Sequence, residues 1–453
     1  MKTQLSFSLL VLSLVLSLFL SSGMAAQAGS GAPGRSAPLT LAALEAMALQ
    51  HNPTLGEAQA LVRASAGQVH QAGLWPNPMV GYAANRLRGG YVRGGDQGVF
   101  LQQSIPLGGK LAAARATAQA SQARAETEAM AQRATVLTAV RLAYYHSLAA
   151  QERVQVEAQL AKLAADAATT THQLGNVGQA DQPDELQAEV EAGQAQLRQQ
   201  QAQQEREQAW QALAAVVGEP ELPLQTLAGS LSQDLPVLQP AAYLQQLLTR
   251  SPAVQVAEIE RRQAEARLHQ QKRQVVPDLF LRAGIAQDRE LSDFSRKPSG
   301  LQGSAEIGVQ VPLFNRNQGN IASAGAELER ATLDLDRVRL QLRAQAAPWL
   351  AGYAMAQQLV HQYRESLLPK AERAWRLYQA SYQNMGAAYP QVLIAQRTWF
   401  QLQSDYLRQL EAVWVDASAL QGFLATDGLT LLSSPTGVGT RPSACVSGQG
   451  GVQ

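Results

Sequence analysis

Arg63–Gln71 reads RASAGQVHQ and Arg262–Gln270 reads RQAEARLHQ, and the two stretches hold one register: 262 − 63 and 269 − 70 both equal 199. The match extends outward on both sides. An X-Pro helix start precedes each copy (Asn52-Pro53, Ser251-Pro252) and a proline exit follows it (Trp75-Pro76, Val276-Pro277). Next come a pair of segments that alternate apolar and polar residues, a second proline stop (Ile105-Pro106-Leu107, Val311-Pro312-Leu313) and a long helical run. Proline suits the first turn of a helix and the end of a strand because both places can spare its missing N–H. A duplicated helix–hairpin–long-helix unit fits a pseudo-symmetric wall around a channel better than it fits an active site. The repeat divides the chain into a first unit over 29–217, a linker over 218–240, a second unit over 241–427 and a disordered tail over 428–453.

The helical runs are long. No proline interrupts Gly109 to His172, and Ala, Gln, Leu, Arg and Glu, all good helix formers, dominate it. At 1.5 Å per residue this predicts a helix on the order of 95 Å. The chain turns at Gly175-Asn176-Val177-Gly178, and Asp181 opens a return helix with Pro183, Asp184 and Glu185 in its first turn. Gly218-Glu219-Pro220 ends it, so a helical hairpin is predicted over about 109–217. The second unit repeats the plan over about 319–424, with its turn at Asn384-Met385-Gly386; the turn glycines match at 386 − 178 = 208. Ala324, Leu328, Ala331, Leu335, Val338 and Leu342 step by four and three, a heptad seam. Pro348 and Pro369 are predicted to kink or break the second run, and the first run has no counterpart to either.

Four segments alternate with period two, within about 79–106 and about 278–313. In Gln302–Leu313, Ala305, Ile307, Val309 and Val311 point one way, while Ser304, Glu306, Gly308 and Gln310 point the other. Asp278–Ala286 sets Leu279, Leu281, Ala283 and Ile285 against Arg282 and Gly284. Val99, Leu101 and Ile105 alternate with Gln102 and Ser104, and Met79–Arg86 alternates more weakly. The links Arg88–Gly95 and Asp288–Gly300 are polar and predicted as loops in water. Each segment is about ten residues, enough for a tilted strand to cross a bilayer, which would turn Ala305, Ile307, Val309 and Val311 to lipid. A soluble two-hairpin sheet packed on helices accounts for the same periodicity. About four strands cannot close on themselves, and an open edge in lipid leaves backbone groups unsatisfied, so the membrane reading requires several chains to pool strands.

Lys2 precedes an apolar run from Leu5 to Leu20, and Ala26-Gln27-Ala28 has the small-x-small pattern of a cleavage site, which predicts a signal peptide over 1–28. An uncleaved anchor is the alternative, and serines at 6, 8, 13 and 17 weigh against it. No cysteine follows the run to carry a lipid, and the lone Cys445 in the tail can form no internal disulfide. A formal net charge of +1 over 453 residues argues against nucleic acid, which needs a basic face. No second apolar stretch is long enough to span a bilayer as a helix, so any later crossing must use strands. Phosphate loops, zinc-protease pairs, cysteine clusters and nucleophile elbows are all missing, and the six histidines are scattered. The expectation is a non-enzyme with no catalytic, cofactor-binding or metal-binding residues.

Asn52–Ala58 (NPTLGEA), Pro76–Pro78 (PNP), Gln103–Lys110 (QSIPLGGK), Val177–Asp184 (VGQADQPD) and Val311–Ile321 (VPLFNRNQGNI) together resemble the TolC-like outer membrane efflux protein family, in wording nearest its CzcC-like cation-efflux branch. The resemblance runs from about Leu39 to Leu424. It implies a mainly α protein with a transmembrane β part: a homotrimer whose twelve strands form a barrel in the outer membrane of a Gram-negative bacterium, continued by an α-helical periplasmic tunnel. The implied role is a passive exit duct of a tripartite efflux system, with heavy-metal cations as cargo. The implied partners are a periplasmic adaptor, an inner-membrane pump of the resistance-nodulation-division type and outer membrane lipid. The family narrows the tunnel at its tips with acidic residues, which makes Asp181, with Gly178 and Gly386, the gate candidates. Three copies of Asp181 would form a cation-favouring ring; helix capping explains the residue equally well. A periplasmic adaptor or coiled-coil scaffold is the other reading, and it would show one long hairpin flanked by compact β domains.

Overall fold

The computed structural model describes residues 38–85, 95–176, 178, 180–291, 298–383, 386 and 389–429; the predicted signal 1–28, the tail from 430, most of the 88–95 link and the tip residues Asn384 and Met385 lie outside them. The first unit runs α1 (Leu41–His51), α2 (Pro53–Ala72), β1 (Met79–Asn85), β2 (Asp96–Ile105), α3 (Lys110–Asn176) and α4 (Gln182–Val217). The second runs α5 (Pro240–Arg250), α6 (Pro252–Arg273), β3 (Leu279–Leu291), β4 (Pro298–Val309), α7 (Gln318–Gln362), a π turn (Tyr363–Leu367), α8 (Leu368–Gln383) and α9 (Tyr389–Gln421). The duplication holds element for element except that α7, the π turn and α8 stand where the first unit has the single α3. At the first X-Pro start, the Asn52 side chain accepts the Thr54 N–H at 3.0 Å while Pro53 occupies the first turn.

Alanine spacing sets how the long helices pack. In α4, Ala188, Ala195, Ala202 and Ala209 recur every seven residues and all are buried, so α3 and α4 approach closely along their length. At the end of α4, Gly218 has φ +89 and a Cβ there would stand 2.6 Å from the His51 carbonyl oxygen, so glycine is required on both counts. The α7 seam buries Ala324, Ala331, Leu335 and Leu342, then steps by four to Ala346 and by three to Trp349, and returns to heptad spacing at Tyr353, Ala356 and Val360. Two successive fours are a local stutter that straightens the supercoil.

The two prolines act differently from one another: there is no break at Pro348, and the α-helix is interrupted just before Pro369. Helix α7 continues through Pro348 unbroken. Ala346 and Trp349 anchor it in the core, while Ala344, whose carbonyl loses its usual partner, is exposed to water. Before Pro369 the chain forms the π turn instead of ending the helix. Its extra residue rephases the seam: three-four steps from Val360 reach 363, 367, 370 and 374, and one added residue brings Trp375 to that place. Trp375 stacks on Trp399 of α9 at 4.8 Å and 11°.

The 218–240 linker is pinned along its length as a belt. Gln151 holds Leu227 by both backbone groups, accepting its N–H at 2.9 Å and donating to its carbonyl at 3.2 Å. Glu152 accepts the Leu231 N–H, and Trp414 Nε1 donates to the Leu231 carbonyl. Tyr144 donates to the Ala228 carbonyl and Tyr353 to that of Pro236. Leu39 bridges to Leu227 in parallel. Around this belt lies the main core, with Leu44, Val140, Leu148, Trp210, Leu213, Tyr243, Leu247, Trp349, Tyr353, Leu410 and Leu420 from both units. Gly428, at the predicted start of the tail, still packs against the Ala139 side chain of α3. Gln151→Ala strands two buried backbone groups at Leu227, and the expected loss is about 1–3 kcal/mol, read as a lower unfolding midpoint of the detergent-purified protein.

The sheet is antiparallel in the order β1-β2-β3-β4. Its central pairing joins the two units, from Asp96↔Asp288 to Ile105↔Leu279. Strands β3 and β4 run on into the 288–300 stretch predicted as a loop, with a register shift between Asp288 and Leu291. At the other end β4 stops at Val309, paired with Leu279, so Val311 lies beyond the strand it was assigned to. Pro312 is the reason: it offers no N–H and restricts the residue before it, so the chain leaves the ladder.

Candidate functional site

The registers sort the sheet residues into two faces. Val80 and Tyr82 of β1 stand opposite Leu101 and Val99 of β2; Val99 and Leu101 stand opposite Ile285 and Ala283 of β3; Leu281 and Ala283 stand opposite Ile307 and Ala305 of β4. Through its middle this face is apolar across all four strands and uncovered, with Ile307 72% exposed and Val80 74%, and Gln97, Gln103 and Gln287 stand on it toward the strand ends. The opposite face carries Asp96, Gln102, Ser104, Arg282, Asp288, Ser304 and Glu306. There the tip of the Phe100 ring covers Gly81, where a Cβ would stand 2.4 Å from it, and the Arg282 guanidinium sits 3.9 Å from the ring centroid. A sheet that leaves its apolar face uncovered is the reverse of a soluble one, which packs that face on helices.

The helices continue the same order. On the sheet side of the core they lie α2–α3–α6–α7, matching β1–β2–β3–β4, and on the far side α4–α3–α9–α8. One flank is therefore β1, α2 and α4, and the other is β4, α7 and α8. Both flanks expose apolar side chains: Leu61, Leu186, Val190 and Leu197 on the first, Leu333, Leu340 and Leu377 on the second.

At the first tip, Gly178 has φ +72 and donates its N–H to the Gly175 carbonyl at 2.9 Å. Glu185 folds back over Gly175, where any Cβ would collide with its carboxylate, and accepts from His172 Nδ1 at 3.2 Å. Asp181 occupies the cap position of α4 and its carbonyl accepts the Asp184 and Glu185 N–H groups, but its carboxylate makes no capping hydrogen bond and is exposed. At the second tip Gly386 donates to the Ser381 carbonyl at 2.8 Å.

A network that the sequence did not signal ties the hairpins together above the tips. Arg397 of α9 donates to Glu191 of α4 at 2.7 and 2.6 Å, Arg198 lies 3.6 Å from Glu191 and 3.7 Å from Glu157 of α3, and Ser404 donates to Glu157 at 3.2 Å. Glu157 and Glu191 are both buried. The histidines do not gather. His51 pairs with Glu219, His146 with Glu411, His172 with Glu185 and His361 with Glu365. The hydrogen bond to Glu411 raises the His146 pKa above its ordinary value. Among the described residues no group of three or more His, Cys, Asp or Glu side chains could hold a metal ion.

Two helical hairpins and two strand pairs, repeated about one core and ending in open flanks, are the design of an outer membrane efflux protein. The chain belongs to the outer membrane efflux protein family, whose model matches residues 44–219 and 243–425. It is an outer membrane protein that serves as an exit channel in efflux. The cobalt-zinc-cadmium resistance protein CzcC of Cupriavidus metallidurans is 29% identical over 393 residues, 85% of this chain and 90% of that protein. The nickel-cobalt-cadmium resistance protein NccC of Alcaligenes xylosoxydans is 25% identical over 296 residues, 64% of this chain and 65% of that protein. The fold is that of the solved CusC (TM-score 0.71, 18% identity, covering 84% of this chain and 91% of that one) and of the outer membrane protein VceC from Vibrio cholerae (TM-score 0.68, 21% identity, 86% and 97%).

Proposed function

We propose that three copies close into one conduit for heavy-metal cations, driven by an inner-membrane pump of the resistance-nodulation-division type through a periplasmic adaptor. The observation that carries it is the four-stranded sheet with one uncovered apolar face and two open edges. Three copies of four strands make a twelve-stranded barrel, in which every edge is paired and Ala305, Ile307 and Val309 meet lipid. The polar face with Arg282, Ser304 and Glu306 then lines the lumen, and the helical row continues it as a tunnel whose tips meet the adaptor. The metal cargo is supported by the two relatives named for cobalt, zinc, cadmium and nickel resistance. The protein is expected in the outer membrane fraction as an SDS-resistant trimer with heat-modifiable migration; recovery as a soluble monomer would overturn the reading.

The tips are the gate. The exposed Asp181 carboxylate, free of a capping bond, supports an acidic ring of three copies over a helix cap. Asp181→Asn is expected to weaken block by divalent cations in planar-bilayer conductance and to leave trimer stability unchanged. Lost stability with unchanged conductance would make Asp181 a structural residue.

A further inference from the structure

The two X-Pro helix starts keep the register of the repeat, since 251 − 52 = 199, so Asn52, Pro53 and Thr54 correspond to Ser251, Pro252 and Ala253. In the first unit this corner is a closed network. Asn52 accepts from the Thr54 N–H at 3.0 Å and from the Thr54 hydroxyl at 2.7 Å. Gln132 of α3 donates to that hydroxyl at 3.0 Å, and the Gly428 carbonyl lies 3.4 Å from it. A peptide group from the end of the chain therefore stands at the first corner.

In the second unit the same corner opens on a cavity of about 360 Å³ between α3, α6 and α7. Ser251 is 1% exposed and lines it, yet its side chain makes no cap hydrogen bond. The Ala253 N–H, equivalent to the capped Thr54 N–H, is thus left without a cap at the cavity wall. Gln345 of α7 lines the cavity too, and its Oε1 is fully buried with no hydrogen-bond partner among the described residues. Buried polar atoms in this condition are rare in native proteins.

The rest of the wall selects the guest. Val256, Val338, Leu342, Phe423 and Leu424 are apolar, and the last two hold left-handed backbone at φ +54 and +64 without being glycine. Strained backbone of this kind collects at ligand sites. The charged groups of the wall already have partners: Arg124 lies 2.9 Å from Glu128 and 3.0 Å from Glu260, and Arg337 lies 2.7 Å from Asp334. Three carboxylates against two guanidinium groups leave no cation for an anionic guest, so the N–H groups of α6 face a neutral acceptor. The volume is at the small end of the range for ligand pockets.

We infer that this cavity binds a small neutral amide with an apolar arm. Its carbonyl accepts from the Ser251 hydroxyl and the Ala253 N–H, its N–H donates to Gln345 Oε1, and the arm lies against Val256, Val338 and Leu342. The guest holds the place that the Gly428 peptide holds in the first unit, and it bridges α3 of one unit to α6 and α7 of the other. The site lies within one chain and does not rest on the closed trimer.

The probes are N-cyclohexylacetamide and cyclohexyl acetate, an ester that keeps the ring and the carbonyl but lacks the N–H. Saturation-transfer NMR on the full chain in lipid nanodiscs, against empty nanodiscs, measures both. The amide is expected to bind about ten-fold more tightly, because the ester leaves Gln345 unpaired. Gln345→Leu removes that acceptor, so it should keep its unfolding midpoint and erase the difference between the probes. Val256→Phe, which fills the cavity, should abolish both signals. An amide signal that survives Val256→Phe reports partition into lipid and overturns the site. So does a preference that survives Gln345→Leu, equal binding of the two probes to the parent chain, or no binding of either at millimolar concentration.

Discussion

Ile307→Arg is expected to abolish recovery of assembled trimer from the outer membrane, whereas Gly308→Arg, one residue along the same strand, should assemble. Ile307 stands opposite Leu281 on the apolar face, with Ala305 and Val309 as same-face neighbours along β4 and nothing covering it. An arginine on a lipid-facing strand costs about 2–4 kcal/mol per copy at mid-membrane and less toward the interface. Ile307 lies two residues from the Val309 end of β4, so the lower end of that range is expected, borne three times in the proposed trimer. Gly308 faces the polar side. A Cβ there would meet only Phe280, at an ordinary 3.9 Å, and a longer side chain can extend into water. Heat-modifiability of membrane extracts from the two variants measures the contrast directly. Equal failure of both would mean that the sheet is not in a bilayer.

The second large effect is expected at Arg397. Truncation to alanine removes both short hydrogen bonds to Glu191 and leaves that buried carboxylate with Arg198 at 3.6 Å as its nearest cation. Breaking one partner of a buried pair costs about 3–5 kcal/mol, because the surviving charge stays desolvated. Arg397 is itself half exposed, so the lower end, about 3 kcal/mol, is expected. Replacing both partners by leucine should recover much of the loss, since a buried ion pair contributes little beyond an apolar pair of similar volume. Denaturant midpoints for the single and double variants give the coupling. Limited proteolysis near residue 180 should also speed up in Arg397→Ala alone, because this contact ties α9 to the first hairpin just above its tip. A silent Arg397→Ala would show that the hairpins are held by the alanine seams instead.

Most of the architecture was legible because its signals are local. Proline punctuation, period-two alternation and heptad steps are each read within a dozen residues, and they placed four strands, both hairpins and the strand faces. The errors also have local causes. Pro348 reads as a kink or a break, and the helix runs on through it because Trp349 and Ala346 are buried deeply enough to hold it. Alternation carried β4 past Val309 to Val311, though Pro312 had already ended the ladder. The π turn was invisible because its purpose is a phase correction against α9, a helix that begins more than twenty residues later.

The sequence by itself determined the duplicated unit, the family, the apolar and polar faces of each strand, and the glycine turns at the tips. Repetition and periodicity record these directly, since each residue's face follows from its distance along its own element. Only the tertiary structure decided that β2 pairs with β3 to fuse the units, and that Gln151, Tyr144 and Tyr353 turn the linker into a belt. It also decided that Arg397 reaches Glu191, and that strands and helices share one order and therefore share two open flanks. These contacts join residues from 76 to 206 positions apart in the side-chain pairs. No pattern along the chain encodes such partners, because burial and pairing between distant segments exist only once the helices have packed.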